Sequence, residues 1–389
     1  MGEKGSRPRL TYIDVARGLP VLLMIEAHTV DAWTRFADRR GMAFRDATVL
    51  GGFAAPMFLW LAGLGVALAA ARAAERRGQR AAIDTACRRG LEIFILAFLF
   101  RLQAWVLTPG GPPLTIFRVD VLNVMGPSMI VAGLLWGIAR SAAGRVASFS
   151  IATILLALAT PIIRASAVVD ALPALLQWYV RPAGEMTTFT LFPWAAFVFA
   201  GGAVGSLIAA SGDEHSEGRL HAALAATGAT LVAIGFWAAA RPSIYASSSF
   251  WTTSPTWFAI RVGILMLALS VLRALEAGRR HEDTKARNQT GVLRVFVLSW
   301  QRPLAALGRA SLFIYWIHVE LVYGYASWLW RHRLPLWGTA LAYVAFCVLM
   351  YSAIGWRDGF MSWWRARRSD GAATPAETAT ALIRTPSCK

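Results

Sequence analysis

The chain has 389 residues, of which 56% are hydrophobic and only 16% charged, well below the charge content of an ordinary soluble domain. Mean hydropathy is +0.48, and several apolar runs reach about 20 residues, the length that crosses a bilayer and too long for the buried strands of an α/β enzyme. The net charge of +17 would suit nucleic acid, but the basic residues sit between apolar runs, as in a membrane protein marking its cytoplasmic side, and they form no separate basic domain.

In chain order, the pattern predicts an all-α, polytopic integral membrane protein with ten transmembrane helices, over 12–30, 48–70, 90–107, 120–139, 148–167, 190–210, 222–240, 257–275, 304–327 and 337–355. The first run carries Glu26 and His28 with no small-residue cleavage motif, so it reads as a retained span. Residues 1–11 form a short N-terminal segment, 12–355 the membrane domain and 356–389 a basic tail, disordered from about Arg368. The stretch Glu276–Gly291 reads as a polar, mobile loop. With both termini in the cytoplasm, 25 Lys and Arg residues fall inside and nine outside, which favours N-in and C-in. No internal repeat is visible. Cys87, Cys347 and Cys388 make neither a metal-ligand pattern nor a disulfide framework.

Charges within spans are costly and are default functional candidates. At 100° per residue, Asp14, Arg17 and His28 share one face of the first helix, Asp31 can reach the same side, and Glu26 points elsewhere. Asp120 and Asn123 open the fourth span. Trp194 opens the sixth beside Pro193, ahead of Gly201, Gly202 and Gly205, which permit close helix packing. Arg261 opens the eighth. In the ninth, Ser311, Tyr315 and His318 lie on one side, with Glu320 and Tyr323 on a neighbouring face. His28 and His318 are expected at similar depth, in a polar cavity lined by spans one, four, six, eight and nine. Each residue has a plainer reading: Trp194 and Tyr323 as interface anchors, Asp14 with Arg17 as a structural pair, a single membrane histidine as a helix-to-helix hydrogen bonder.

The segment "YIDVARGLPVLLMIEAHTVDAW" resembles the opening of bacterial multi-span acyltransferases. Together with "PMFLWLAG", "DVLNVMGPSMIVAGLL", "LFPWAAFVFAGGAVG" and "LGRASLFIYWIHVELVYG", it is similar to the transmembrane family of heparan-α-glucosaminide N-acetyltransferase. The resemblance spans residues 9–355. In that lysosomal enzyme the proposed catalytic histidine lies just beyond the first span; here Val30–Phe53 holds no histidine, and His28 matches the histidine near the end of the first span in the broader acyltransferase group. Arg17 matches a recurrent arginine of that span, and His318 is the second histidine on offer.

The resemblance implies transfer of an acyl group, acetyl above all, from cytoplasmic acyl-CoA to a sugar or glycan hydroxyl or amine at the bacterial inner membrane, with acetyl-CoA as co-substrate and no tightly bound cofactor or metal. His28 is then the general base, with Asp31 or Glu26 fixing its tautomer. His318 and Arg261 stabilise the tetrahedral intermediate. Asp120, Asn123 and Glu320 bind the acceptor, with Trp194 and Tyr323 beside it. Arg17, Arg88 and Arg309 meet the donor, through a slot running from that end to the histidines. The implied partners are the lipid bilayer and a glycan, not nucleic acid. Two other classes fit the same residues: a transporter or flippase of a lipid-linked sugar using the histidines as proton relays, and a non-enzymatic membrane protein.

Overall fold

The computed structural model describes the backbone of residues 10–107, 111–285 and 292–372, with side chains over the same ranges apart from 279–300 and 368–372. Thirteen α-helices make up the described chain: α1 Thr11–Trp33, α2 Met42–Gly51, α3 Ala54–Arg77, α4 Gln79–Leu107, α5 Val121–Ile138, α6 Ala142–Ala165, α7 Ala174–Val180, α8 Leu191–Ala210, α9 Glu214–Ala239, α10 Pro255–Lys285, α11 Val292–Arg309, α12 Ser311–Tyr323 and α13 Leu336–Ala372. No sheet is present among the described residues; the extended chain makes two isolated bridges.

Eight helical stretches are long and apolar enough to cross a membrane, and a broken pair within α11 and α12 makes a ninth. The remaining expected span, α1, is set apart by the charges of Asp14, Arg17, Glu26 and Asp31. It is 23 residues long, about 34 Å at 1.5 Å per residue. Its apolar side chains lie in the core, with Val21 and Ile25 fully buried. A helix surrounded by other helices can keep charges that a lipid-facing one cannot.

Loop chemistry explains how the chain reverses. Gly78 takes a left-handed conformation (φ +86°) and closes α3 through its N–H to the Ala74 carbonyl, so α4 starts one residue later. Asp120 and Asn123 form a capping box at the start of α5, as Asp213 and Ser216 do for α9, each satisfying amides that a helix start leaves open.

Small residues set the packing. A β-carbon at Gly63 would overlap the Val198 carbonyl, and one at Gly201 would overlap that of Trp60. α3 and α8 therefore touch backbone to backbone, the role expected of the α8 glycines. α1 and α11 cross in the same way, with Gly18 against Leu304 and Gly308 against Asp14.

The ends of the bundle are fixed by long-range bonds. The end of α1 meets the start of α13: Arg35 N–H donates to Leu334 O at 2.8 Å, and Leu334 N–H to Trp33 O at 3.0 Å. At the opposite end Tyr12 N–H donates to Glu276 Oε2 at 2.8 Å. The first and last helices thus run antiparallel, and both ends of the described chain lie at one end of the bundle.

Three sequence expectations change here. The ninth span is not continuous, because its halves bend by 83° at Arg309–Ser311. The loop expected over Glu276–Gly291 is helical as far as Lys285, and Glu276 is only 3% exposed; residues 286–291 lie outside the described part. The last helix continues through 356–372 instead of stopping at 355, while the tail from 373 and the N-terminal segment up to residue 9 lie outside it.

Candidate active site

His28 sits one and a half turns before the end of α1, and His318 two turns into α12. Trp33 Nε1–H donates to Val322 O at 3.2 Å, pinning the two helices together above the histidines. The imidazoles lie nearly parallel, 7° between planes and 5.0 Å between centroids. His28 Nδ1 is 2.9 Å from His318 Nε2, and His318 Nδ1 is 2.9 Å from the Ile314 carbonyl oxygen.

The carbonyl decides the proton positions. It can only accept, so His318 Nδ1 carries a hydrogen. In neutral His318 the Nε2 lone pair must then accept, so His28 Nδ1 donates to it. Neutral His28 is left with its lone pair on Nε2, the nitrogen outside the relay. His318 is fully buried and His28 half-buried. The arrangement holds a base by one nitrogen and frees the other, the role a second group plays for catalytic histidines in general.

The other candidate side chains lie as follows around the pair. In this tautomer His318 has both nitrogens engaged, one by His28 and one by the Ile314 carbonyl. Asp31 does not hold His28: it accepts from Tyr323 Oη–H at 2.9 Å and faces Arg39 at 3.8 Å. Tyr323 in turn sets its ring against His28, 5.4 Å between centroids, so Asp31 is joined to His28 through that ring. Glu26 lies on another face, packed against Gly51 with Oε2 buried and without a hydrogen-bond partner. Arg261 donates to the Gly52 carbonyl and is covered by the Phe53 and Trp257 rings; its contacts do not include the histidines.

Of the acceptor candidates, Asp120 and Asn123 stand at the start of α5. Asp120 pairs with Arg101 of α4 at 2.5 Å. Tyr315 links this pair to the histidines: its ring is 5.9 Å from His318, and it lies in the field of both Asp120 and Arg101. Glu320 bonds Gln103, which also accepts from Trp316 Nε1–H. Glu320 Oε1 and Arg101 Nε are buried without partners. Trp194 packs edge to face with Phe189 and Trp257 in an aromatic group beside the start of α5. The polar site is thus built by the first, third, fourth and ninth spans. The sixth borders it with aromatic side chains, and the eighth contributes nothing to the histidine contacts.

The donor candidates do not converge. Arg88 is exposed and faces Asp84 at 3.6 Å, Arg309 is exposed at the end of α11, and Arg17 lies against Gly65 of α3. Between Arg17 and His28 the buried Val21, Met24 and Ile25 fill the helix face, where the slot was expected.

Sequence reasoning missed a second polar cluster at the Asp14 end. Tyr12 Oη–H donates to Glu217 at 2.9 Å, His221 Nε2 lies 3.3 Å from Tyr12 Oη, and Arg273 meets Glu217 at 3.2 Å. They come from three helices, α1, α9 and α10, and no spacing in the sequence brings them together.

Over the histidines, the loop after α1 is clasped to the loop before α13. Asp38 accepts from Leu336 N–H and from Arg35 Nε–H, both at 3.0 Å, and these bonds, the backbone one first, hold its carboxyl below the usual carboxylate range. A depressed pKa contributes stability above the ordinary carboxylate value and loses it as pH falls through the depressed one. Acidification should therefore loosen the clasp, and D38N should abolish that acid dependence. Fluorescence of Trp33 and Trp330, edge to face at 6.1 Å, reports it; an unchanged acid transition in D38N would contradict the assignment.

A multi-pass helical bundle with two histidines paired inside it, and a polar group of side chains linked to them through Tyr315, is the setting of a membrane-bound acyltransferase. Comparison with protein families agrees: the family model described as "Heparan-alpha-glucosaminide N-acetyltransferase, catalytic" matches residues 9–241. That is more than half of the chain, which belongs to this family. None of the curated proteins compared with it matches. The matched region contains His28, Arg101, Asp120 and Asn123, whereas His318 lies beyond it.

Proposed function

We propose that the protein transfers an acyl group, acetyl in the first instance, from acyl-CoA to an amine or hydroxyl of a sugar or glycan, with His28 as general base. The observation that carries this reading is the relay from Ile314 O through His318 to His28, because it leaves the free lone pair on His28 Nε2. The acceptor nitrogen or oxygen attacks the thioester carbonyl carbon while its proton passes to His28 Nε2. The resulting imidazolium keeps its Nδ1–H on His318. The carbon–sulfur bond then breaks, and the departing CoA thiolate takes the proton back, leaving free CoA, the acylated acceptor and neutral His28. Asp120, Asn123 and Glu320 would hold acceptor hydroxyls, and of the donor candidates Arg17 alone stands on the helix that carries His28.

In this reading the histidine end faces away from the cytoplasm, following the excess of basic residues at the other end. Reconstituted protein incubated with radiolabelled acetyl-CoA and amino-sugar-terminated glycans should deliver label to the glycan. Label released only as free acetate, with every glycan unlabelled, would overturn acyl transfer to sugars.

A further inference from the structure

Arg118 lies between α4 and α5, two residues before Asp120. Its backbone is anchored by the strand-like pairing next to it: Val119 N–H donates to Met186 O at 3.0 Å, and Thr188 N–H to Val119 O at 2.9 Å. Its guanidinium is half-buried, and its hydrogen bond goes to a neutral group, Thr188 Oγ1, at 3.1 Å. Its Nε is buried with no partner. Among the described residues no carboxylate forms an ion pair with it. The nearest influences are the Arg101 cation, Asp120, Glu185 and Tyr323. Asp120 is already engaged by Arg101, and Glu185 is exposed. Arg101 thus has a carboxylate in contact and Arg118 has none among the described residues. Burial, followed by the like charge of Arg101, pushes the Arg118 pKa down, as expected of a cation short of a counter-charge.

A half-buried arginine held in place without an anion is costly unless a ligand supplies the anion. The guanidinium fork suits a carboxylate or a phosphate, either of which it can grip through two parallel bonds. The position fits the proposed chemistry. Tyr323, which lies in the field of Arg118, packs its ring on His28, and Glu320, on the same helix as Tyr323, keeps Oε1 buried without a partner. We infer that Arg118, supported by Arg101, is an anion subsite that selects sugar acceptors carrying a carboxylate or phosphate group close to the acylated position. The inference rests on the sugar-acyltransferase reading for what the site serves, but its test needs no donor.

Glucose, glucuronate and glucose 1-phosphate share one ring and differ in charge. Binding of each to the detergent-purified full chain, in wild-type and H28A forms, is measured by thermophoresis. At least one of the two anionic sugars should bind about tenfold more tightly than glucose, the difference expected for a charge-assisted, doubly hydrogen-bonded contact. The one that does so identifies a uronate or a phosphate as the source of the anion. R118Q should reduce that sugar to the level of glucose, whereas R118K should keep part of the preference, which separates loss of charge from loss of fold. Equal binding of all three sugars, or an anion preference that survives in R118Q, would overturn the subsite. Anion-selective binding without acyl transfer to any sugar would leave the subsite standing and remove the proposed reaction; transfer without anion selectivity would do the reverse.

Discussion

Replacing His28 with alanine is expected to lower acyl transfer by about a thousandfold, within the range for losing a general base. The effect should fall on turnover more than on acceptor binding, because the polar side chains at the start of α5 are untouched. His318→Ala should cost less, about a hundredfold, since the base survives and only its orientation is lost. It would also leave His28 Nδ1–H without its partner in the bundle. The double variant should be little worse than H28A alone, because His318 acts only through His28. Single-turnover transfer from labelled acetyl-CoA measures all three. Full activity in H28A would remove the proposed mechanism, and additive losses in the double variant would give His318 a role of its own.

The second large effect concerns the α3–α8 contact. Gly63→Val should destabilise the protein by about 3 kcal/mol or more, at the upper end of overpacking costs, because the clash is with the rigid Val198 backbone and not with a side chain that can turn away. The two helices would have to separate along a contact that Gly201 and Gly205 extend from the other side. Gly355→Ala on α13 is the matched control: a β-carbon there meets no atom within 4 Å, and alanine favours the helix. Thermal unfolding in detergent compares them. G63V protein melting at the wild-type temperature would show that the tight crossing is not needed for stability.

The spans were readable because an apolar run of about 20 residues has few other uses. His28 and His318 were readable because an imidazole stands out in such a run. Their relationship was not. Which nitrogen faces which depends on α1 and α12 meeting with parallel rings, and that is set by contacts 290 residues apart in sequence. Arg101 was passed over because it sits near the end of "IFILAFLFRLQAWVL", where an arginine reads as a side chain reaching for the interface; in the fold it turns inward to Asp120. The break between α11 and α12 carries no proline at its hinge: Pro303 lies seven residues before Ala310, and the bend follows the close crossing of Gly308 over α1. Asp31 was assigned to the base from its spacing on the α1 face and Arg261 to the tetrahedral intermediate from its place at the start of the eighth span; neither signal determines which way a side chain is drawn by its neighbours.

The Ile314 carbonyl at the end of the relay has one more effect. A peptide oxygen does not take up a proton at physiological pH, so with His318 Nδ1–H held there a proton arriving at His28 has nowhere to go but back the way it came. The pair works as a cul-de-sac: it can store charge for the length of a reaction, yet offers no conducting wire toward the far side of the bundle. In any membrane that holds a proton gradient this is a form of insulation, since a proton can visit the pair without a path across the bilayer being opened.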